Sequence, residues 1–176
     1  MRSLSPNHYE RAFENWLLDH RIPYAHCDEQ RRLGPSSGSV KNFDFLLCPP
    51  SGGRVIVEVK GRTFAGASLA NLRGLECWVT VDDVESLRVW RQALGPDHEA
   101  AFVFVYRVIQ ADVDLDGHEA LAVGLDRYVF FCVGLGDYAR CMKRRSPRWR
   151  TVTLSAADFR RHAVGLSAFL SRREIE

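Results

Sequence analysis

The stretch from Asn42 to Lys60, NFDFLLCPPSGGRVIVEVK, constrains what this chain can fold into more than any other. Two apolar runs, Phe43–Leu47 and Val55–Val59, flank Pro49-Pro50-Ser51-Gly52-Gly53. Proline fixes φ and glycine opens conformations closed to other residues, so this cluster breaks any regular element and turns the chain back. The pattern predicts a β-hairpin with strands over 43–47 and 55–59. Three charges interrupt the apolar runs: Asp44 in the first strand, Glu58 and Lys60 in the second. Strand side chains alternate between faces, so Glu58 and Lys60 share one face while Val57 and Val59 share the other. With the turn centred near Ser51, Asp44 comes opposite Glu58 and Asn42 opposite Lys60. Opposed residues have Cβ atoms roughly 5 Å apart, and like charges there destabilise a sheet. Two carboxylates at that separation in a half-buried strand pair call for a shared proton or a cation. Hard oxygen donors select Mg²⁺, with Mn²⁺ as its substitute. The competing reading is an exposed edge hairpin whose charges merely pair across the strands.

This arrangement, an Asp, thirteen intervening residues and then Glu-x-Lys closing a strand before Gly61-Arg62, resembles the PD-(D/E)xK nuclease superfamily. Phe43 stands where the leading Pro of the signature would be. The resemblance implies that Asp44, Glu58 and the main-chain carbonyl of Val59 hold Mg²⁺, and that Lys60 orients or activates water and stabilises developing charge. A site of this type commonly adds one acidic residue from the first helix; Glu10 is the choice here and Glu14 the reserve. A second likeness lies at that helix: His8-Tyr9-Glu10-Arg11-Ala12-Phe13-Glu14 matches the H-Y-E-x-A-F-E motif of the HYExAFE proteins at six specified positions of seven. It continues through Arg21-Ile22-Pro23-Tyr24, Asp28-Glu29, Asn42-Phe43-Asp44-Phe45, Val57-Glu58-Val59-Lys60-Gly61-Arg62 and Trp78–Val84, most of the chain. That family implies a fold and a residue kit, without an assigned substrate.

At 176 residues the chain fits one domain with a single sizeable core. The core is expected over about 6–133 and a basic C-terminal extension over about 134–176. Five cysteines, widely spread and without a C-x-x-C pair, suggest reduced thiols in a cytoplasmic protein rather than a disulfide framework or zinc site. The longest apolar run, Ala100–Tyr106, is far short of a membrane span, so no membrane partner is expected. The net charge of +2 is unevenly placed: Tyr138–Glu176 carries ten basic residues against three acids, a net +7, which leaves −5 for the rest. A basic end beside an acidic front half suits a polyanion approached from one side.

Ser5 or Asn7 can cap a first helix running to about His20, with Tyr9, Ala12, Phe13, Trp16 and Leu17 as its buried stripe. Ile22–Ala25 is expected as a strand, followed by a polar connection in which Arg31 and Arg32 could hold a phosphate. After Arg62 a glycine-containing loop is expected, then Thr80-Val81-Asp82-Asp83 as the start of a helix over Val81–Leu94, stopped by Gly95-Pro96. Ala101–Ile109 has the unbroken β-branched and aromatic pattern of a strand buried on both faces. Asp112–Gly117 resembles the start of a calcium loop but has Val123 at the twelfth position, and is read as a turn. Tyr128–Val133 follows as a strand. Lys143, Arg144, Arg145, Arg148 and Arg150 then cluster around Trp149, a phosphate-binding pattern with an aromatic available for stacking. Ser155 is expected to cap a last helix over about Ala156–Ser171. No G-x-S-x-G, phosphate-loop or dinucleotide signature occurs.

The fold expected from these readings is α/β: a restriction-endonuclease-like core with a central mixed sheet of four or five strands, helices on both faces and a C-terminal helical extension. The expected function is Mg²⁺-dependent hydrolysis of phosphodiester bonds in nucleic acid, with DNA preferred over RNA. The alternative is a catalytically silent nucleic-acid-binding or interaction module on the same fold. A homodimer is compatible with either.

Overall fold

The computed structural model describes residues 8–27 and 40–172. The first helix, α1 (His8–Asp19), buries Ala12, Phe13, Trp16 and Leu17 of the stripe its spacing predicts, while Tyr9 is half-buried. Its capping candidates Ser5 and Asn7 lie outside the described residues, as do Arg31 and Arg32. The chain then forms β1 (Tyr24–His26), two residues later than expected, because Ile22 closes the helix end through its N–H to the Leu17 carbonyl at 2.9 Å.

The hairpin of β2 (Phe45–Leu47) and β3 (Arg54–Phe64) has the expected register, with Phe45 opposite Val57 and Leu47 opposite Val55. β3 does not end near Val59. It continues through Lys60-Gly61-Arg62 to Phe64 because β5 (His98–Val108) pairs with it in parallel along its whole length, from Arg54 opposite His98 to Phe64 opposite Val108. The crossover between them carries a 3₁₀ turn (Ala70–Leu72), the short β4 (Val79–Thr80) and α2 (Val81–Leu94). Helix α2 has the predicted bounds for the predicted reason: the Thr80 hydroxyl accepts from the Asp83 N–H, the Asp83 carboxylate accepts from the Thr80 N–H, and Gly95 at φ 97° ends it.

Beyond β5 come β6 (Ala120–Val123), not anticipated from sequence, β7 (Asp126–Gly134), α3 (Leu135–Cys141), β8 (Lys143–Ser146), β9 (Thr151–Thr153), α4 (Ala156–His162), β10 (Val164–Gly165) and α5 (Leu166–Ser171). The single C-terminal helix expected over Ala156–Ser171 is therefore two helices. Val164-Gly165 leaves the helical path to pair with Phe131 and Cys132 of β7, an exchange favoured by the poor helix propensity of valine and glycine.

Among the described residues the main sheet has seven strands, more than the four or five expected, in the order β1-β2-β3-β5-β7-β10 with β6 also on β7. It is mixed, as expected, since β3 and β5 run parallel and the other neighbours antiparallel. A second sheet runs β4-β9-β8. Alternation along β3 divides the core in two. Val55, Val57 and Val59 face the layer of α1 and α5, with Phe13, Trp16, Leu166 and Phe169. Ile56 and Phe64 face the layer of α2, α3 and α4, with Val84, Leu87, Tyr138 and Phe159. Segments on both sides of Gly134 thus contribute to both layers. Among the described residues no helix is long and apolar enough to cross a membrane.

Candidate active site

Glu58 and Lys60 lie on the α2 side of β3, and Glu58 is only 4% exposed. A carboxylate buried to that degree needs charge partners. Its Oε1 has two, the ammonium of Lys41 at 2.6 Å and that of Lys60 at 3.1 Å. The same two ammonium groups reach the carboxylate of Asp83, Lys41 at 2.7 Å and Lys60 at 2.9 Å. Two acids and two lysines therefore alternate in a closed ring between β3 and the first turn of α2. Burial works against the charge on Asp83, but Lys60 and Lys41 together outweigh it and hold the carboxyl well below the usual carboxylate range. Burial works against the charge on Lys41 too, but Glu58 and Asp83 prevail and raise its pKa.

Asp44 sits at a bend just before β2. Its N–H donates to the Val57 carbonyl at 3.0 Å, and its Oδ2 accepts from the Val59 N–H at 2.7 Å. Asp44 is thereby anchored across the hairpin on the strand that bears Glu58 and Lys60. Burial, the Glu58 charge and then Glu10 push its carboxyl up to about 8, against the opposing pull of the Val59 amide and Lys60.

Glu10 enters from α1, on the other layer. Its carboxylate lies 3.5 Å from His26 Nε2 and contributes to the field at Asp44. The helix approaches β3 closely because residue 61 is glycine: a Cβ there would lie 2.1 Å from the ring of Tyr9, the residue before Glu10. Glu14 is held elsewhere, accepting the Tyr24 hydroxyl at 2.6 Å. Asp44, Glu58, Lys60 and Glu10 are thus brought to one end of the β2–β3 hairpin.

Lys41 and Asp83 were not singled out by sequence as site residues. Asp83 was legible as a cap, but only the crossover from β3 to β5 aims that cap at Lys60. The signal available for Lys41 was its place opposite the Glu-x-Lys segment.

The basic cluster forms β8 and the turn to β9. Lys143 and Arg144 are exposed, and Trp149 is 67% exposed. The guanidinium of Arg145 lies 5.0 Å from the Trp78 ring centroid, and that of Arg62, two residues beyond Lys60, lies 3.9 Å from it. Arg148 covers Trp149 at 5.0 Å. Arg150 is 3.5 Å from Asp82, and its carbonyl accepts from the Val81 N–H at 2.8 Å. The hairpin is therefore tied to the same helix turn that carries Asp83, next to the acidic cluster.

The donors at Asp44, Glu58 and Glu10 are all hard oxygens, the ligand class that suits a divalent cation of the Mg²⁺ kind. Over 93% of this chain and 98% of the other, the backbone resembles the Holliday junction resolvase Hjc of the archaeal hyperthermophile Archaeoglobus fulgidus, with a TM-score of 0.55. The chain shares the mixed α/β fold of that resolvase, a central mixed sheet flanked by helices. At 12% identity the likeness to the resolvase is one of fold. No family model matches the chain, and no curated relative does, so the likeness to the HYExAFE proteins rests on the sequence motifs alone. The β2–β3 hairpin and the leading helix meet at one sheet end, which is where this chain gathers its acids.

Proposed function

We propose that the protein is a metal-dependent nuclease that hydrolyses phosphodiester bonds in DNA. The observation that carries this reading is that the Asp44 carboxylate is anchored on the Val59 N–H of the strand that bears Glu58 and Lys60, with Glu58 and then Glu10 adding to the field it feels. A Mg²⁺ ion held by Asp44, Glu58 and the main-chain carbonyl of Val59 would polarise the scissile phosphate and lower the pKa of bound water. Lys60, fixed between Glu58 and Asp83, presents an ammonium to the phosphate oxygens as charge develops on them. Glu10 would support the ion through water or hold a second one. Lys41 neutralises Glu58, and that carboxylate would have to leave Lys41 to take up an ion.

Substrate binding falls to the β8–β9 hairpin, where Lys143, Arg144, Arg145, Arg148 and Arg150 supply charge for backbone phosphates and Trp149 a surface for a base. Arg31 and Arg32, which precede the β2–β3 hairpin in sequence, would add charge for the same purpose. One protein of similar fold is a Holliday junction resolvase, which makes branched DNA the first substrate to assay. A reducing, cytoplasmic setting agrees with five cysteines that form no disulfide among themselves.

The test is cleavage of plasmid, single-stranded and four-way-junction DNA in Mg²⁺ or Mn²⁺. Cutting that disappears in Asp44→Ala and in Lys60→Ala, while DNA binding persists, supports the enzyme. Binding without cutting on every substrate and with either ion supports the silent module instead.

A further inference from the structure

Helices α3 and α4 bring together three side chains that the nuclease reading does not use. Cys141 is the last residue of α3, and Asp158 and His162 lie four residues apart on α4, on one helix face. The sulfur, a carboxylate oxygen and an imidazole nitrogen of this trio all lie within 4.8 Å of one another, and all three residues are half-buried. Cys141 Sγ is 3.6 Å from His162 Nε2. In a tetrahedral zinc site, bonds of about 2.3 Å to sulfur and about 2.0–2.1 Å to nitrogen hold those two atoms about 3.5 Å apart. The thiol and the imidazole already stand at the spacing of two ligands on one ion.

The surroundings repeat the pattern expected behind such ligands. The other ring nitrogen of His162, Nδ1, faces the Asp137 carboxylate at 3.6 Å, which favours the tautomer that leaves Nε2 open toward Cys141. The Asp158 carboxylate accepts the Ser155 hydroxyl at 2.7 Å on Oδ2, which fixes its orientation while a carboxylate retains further acceptor capacity. Sulfur and imidazole donors select a softer ion than the all-oxygen donors at Asp44, Glu58 and Glu10.

We propose that Cys141, Asp158 and His162 bind zinc, or a transition ion of similar softness, as a clamp between α3 and α4. On binding, the Cys141 thiol gives its proton to solvent, and the fourth position is filled by water. The clamp acts on the segments that flank the basic β8–β9 hairpin, since α3 leads into β8 and β9 into α4.

Cobalt(II) titration of the full chain, freed of metal with a chelator, tests the site. The expected result is a thiolate-to-cobalt charge-transfer band saturating at one equivalent and displaced by zinc. It should be lost in Cys141→Ser and in His162→Ala, and kept in Asp44→Asn, which alters only the proposed magnesium ligands. Asp137→Asn should weaken affinity about 10–100-fold without removing the band. Absence of the band from the unaltered chain, or its persistence in Cys141→Ser, overturns the proposal. Both readouts are independent of whether DNA is cut.

Discussion

The Asp83 carboxylate, buried in the first turn of α2, stands 2.9 Å from the Lys60 ammonium on β3 while it also accepts from the Thr80 N–H to close a capping box. One side chain thus fixes both the start of a helix and the lysine of the Glu-x-Lys segment. Asp83→Asn keeps the cap's acceptor but leaves Lys41 and Lys60 facing Glu58 alone. Breaking one partner out of a buried ionic cluster costs about 3–5 kcal/mol, so that loss is expected at neutral pH. Because the folded Asp83 carboxyl lies below its unfolded value of about 3.9, its contribution is fully present above that pH and lost as pH falls through the folded value. Urea unfolding across pH should show the wild-type and Asp83→Asn curves converging in acid. Parallel curves would show that Asp83 acts only as a cap.

Asp44 has the opposite sign. Its carboxyl is pushed up to about 8, so as pH rises from the unfolded value of about 3.9 toward 8 the folded state loses stability to it. Asp44→Asn removes that charge while its amide oxygen can still accept from the Val59 N–H. The metal-free variant should be more stable than the wild type by about 1–3 kcal/mol near neutral pH, a gain that vanishes below about pH 4. It should also lack the rise in Tm that Mg²⁺ is expected to give the wild type. Differential scanning calorimetry with and without Mg²⁺ checks both.

Gly61 sets how closely α1 packs on the sheet. Gly61→Ala places a Cβ into the Tyr9 ring and forces Tyr9, and Glu10 beside it, away from β3. Overpacking of this kind costs about 1–3 kcal/mol. DNA cleavage should fall with little change in DNA affinity, since Tyr9 and Glu10 belong to α1 and the basic residues to the β8–β9 hairpin. Cleavage at the wild-type rate would show that Glu10 is dispensable.

The basic hairpin should govern binding rather than chemistry. Replacing Lys143, Arg144 or Arg148 by Ala should weaken binding to all sequences alike and lower the salt slope by about 1 for each phosphate no longer neutralised. Trp149→Ala should cost about 1–3 kcal/mol on single-stranded or branched DNA and less on duplex, as expected for a stacking surface. Salt-dependent fluorescence anisotropy measures both, and cleavage at saturating DNA should be nearly unchanged.

The hairpin register was legible because Pro49–Gly53 can only turn and because charges at 44, 58 and 60 obey a period of two. Helix α2 was legible to the residue, since a capping box and Gly95 are local signals. The length of β3 and the break at Val164-Gly165 were not: each is decided by a partner strand distant in sequence, β5 in one case and β7 in the other.

By itself the sequence determined the local chemistry: which segments alternate, where they turn, and that two acids and a lysine would share one end of a hairpin. The tertiary structure alone decided that Lys41 and Asp83 complete that cluster, that the arginine-rich hairpin lies beside it, and that Cys141 meets His162. Periodicity fixes which face a side chain takes, but long-range pairing fixes what that face meets, and no local pattern encodes which strand will arrive alongside.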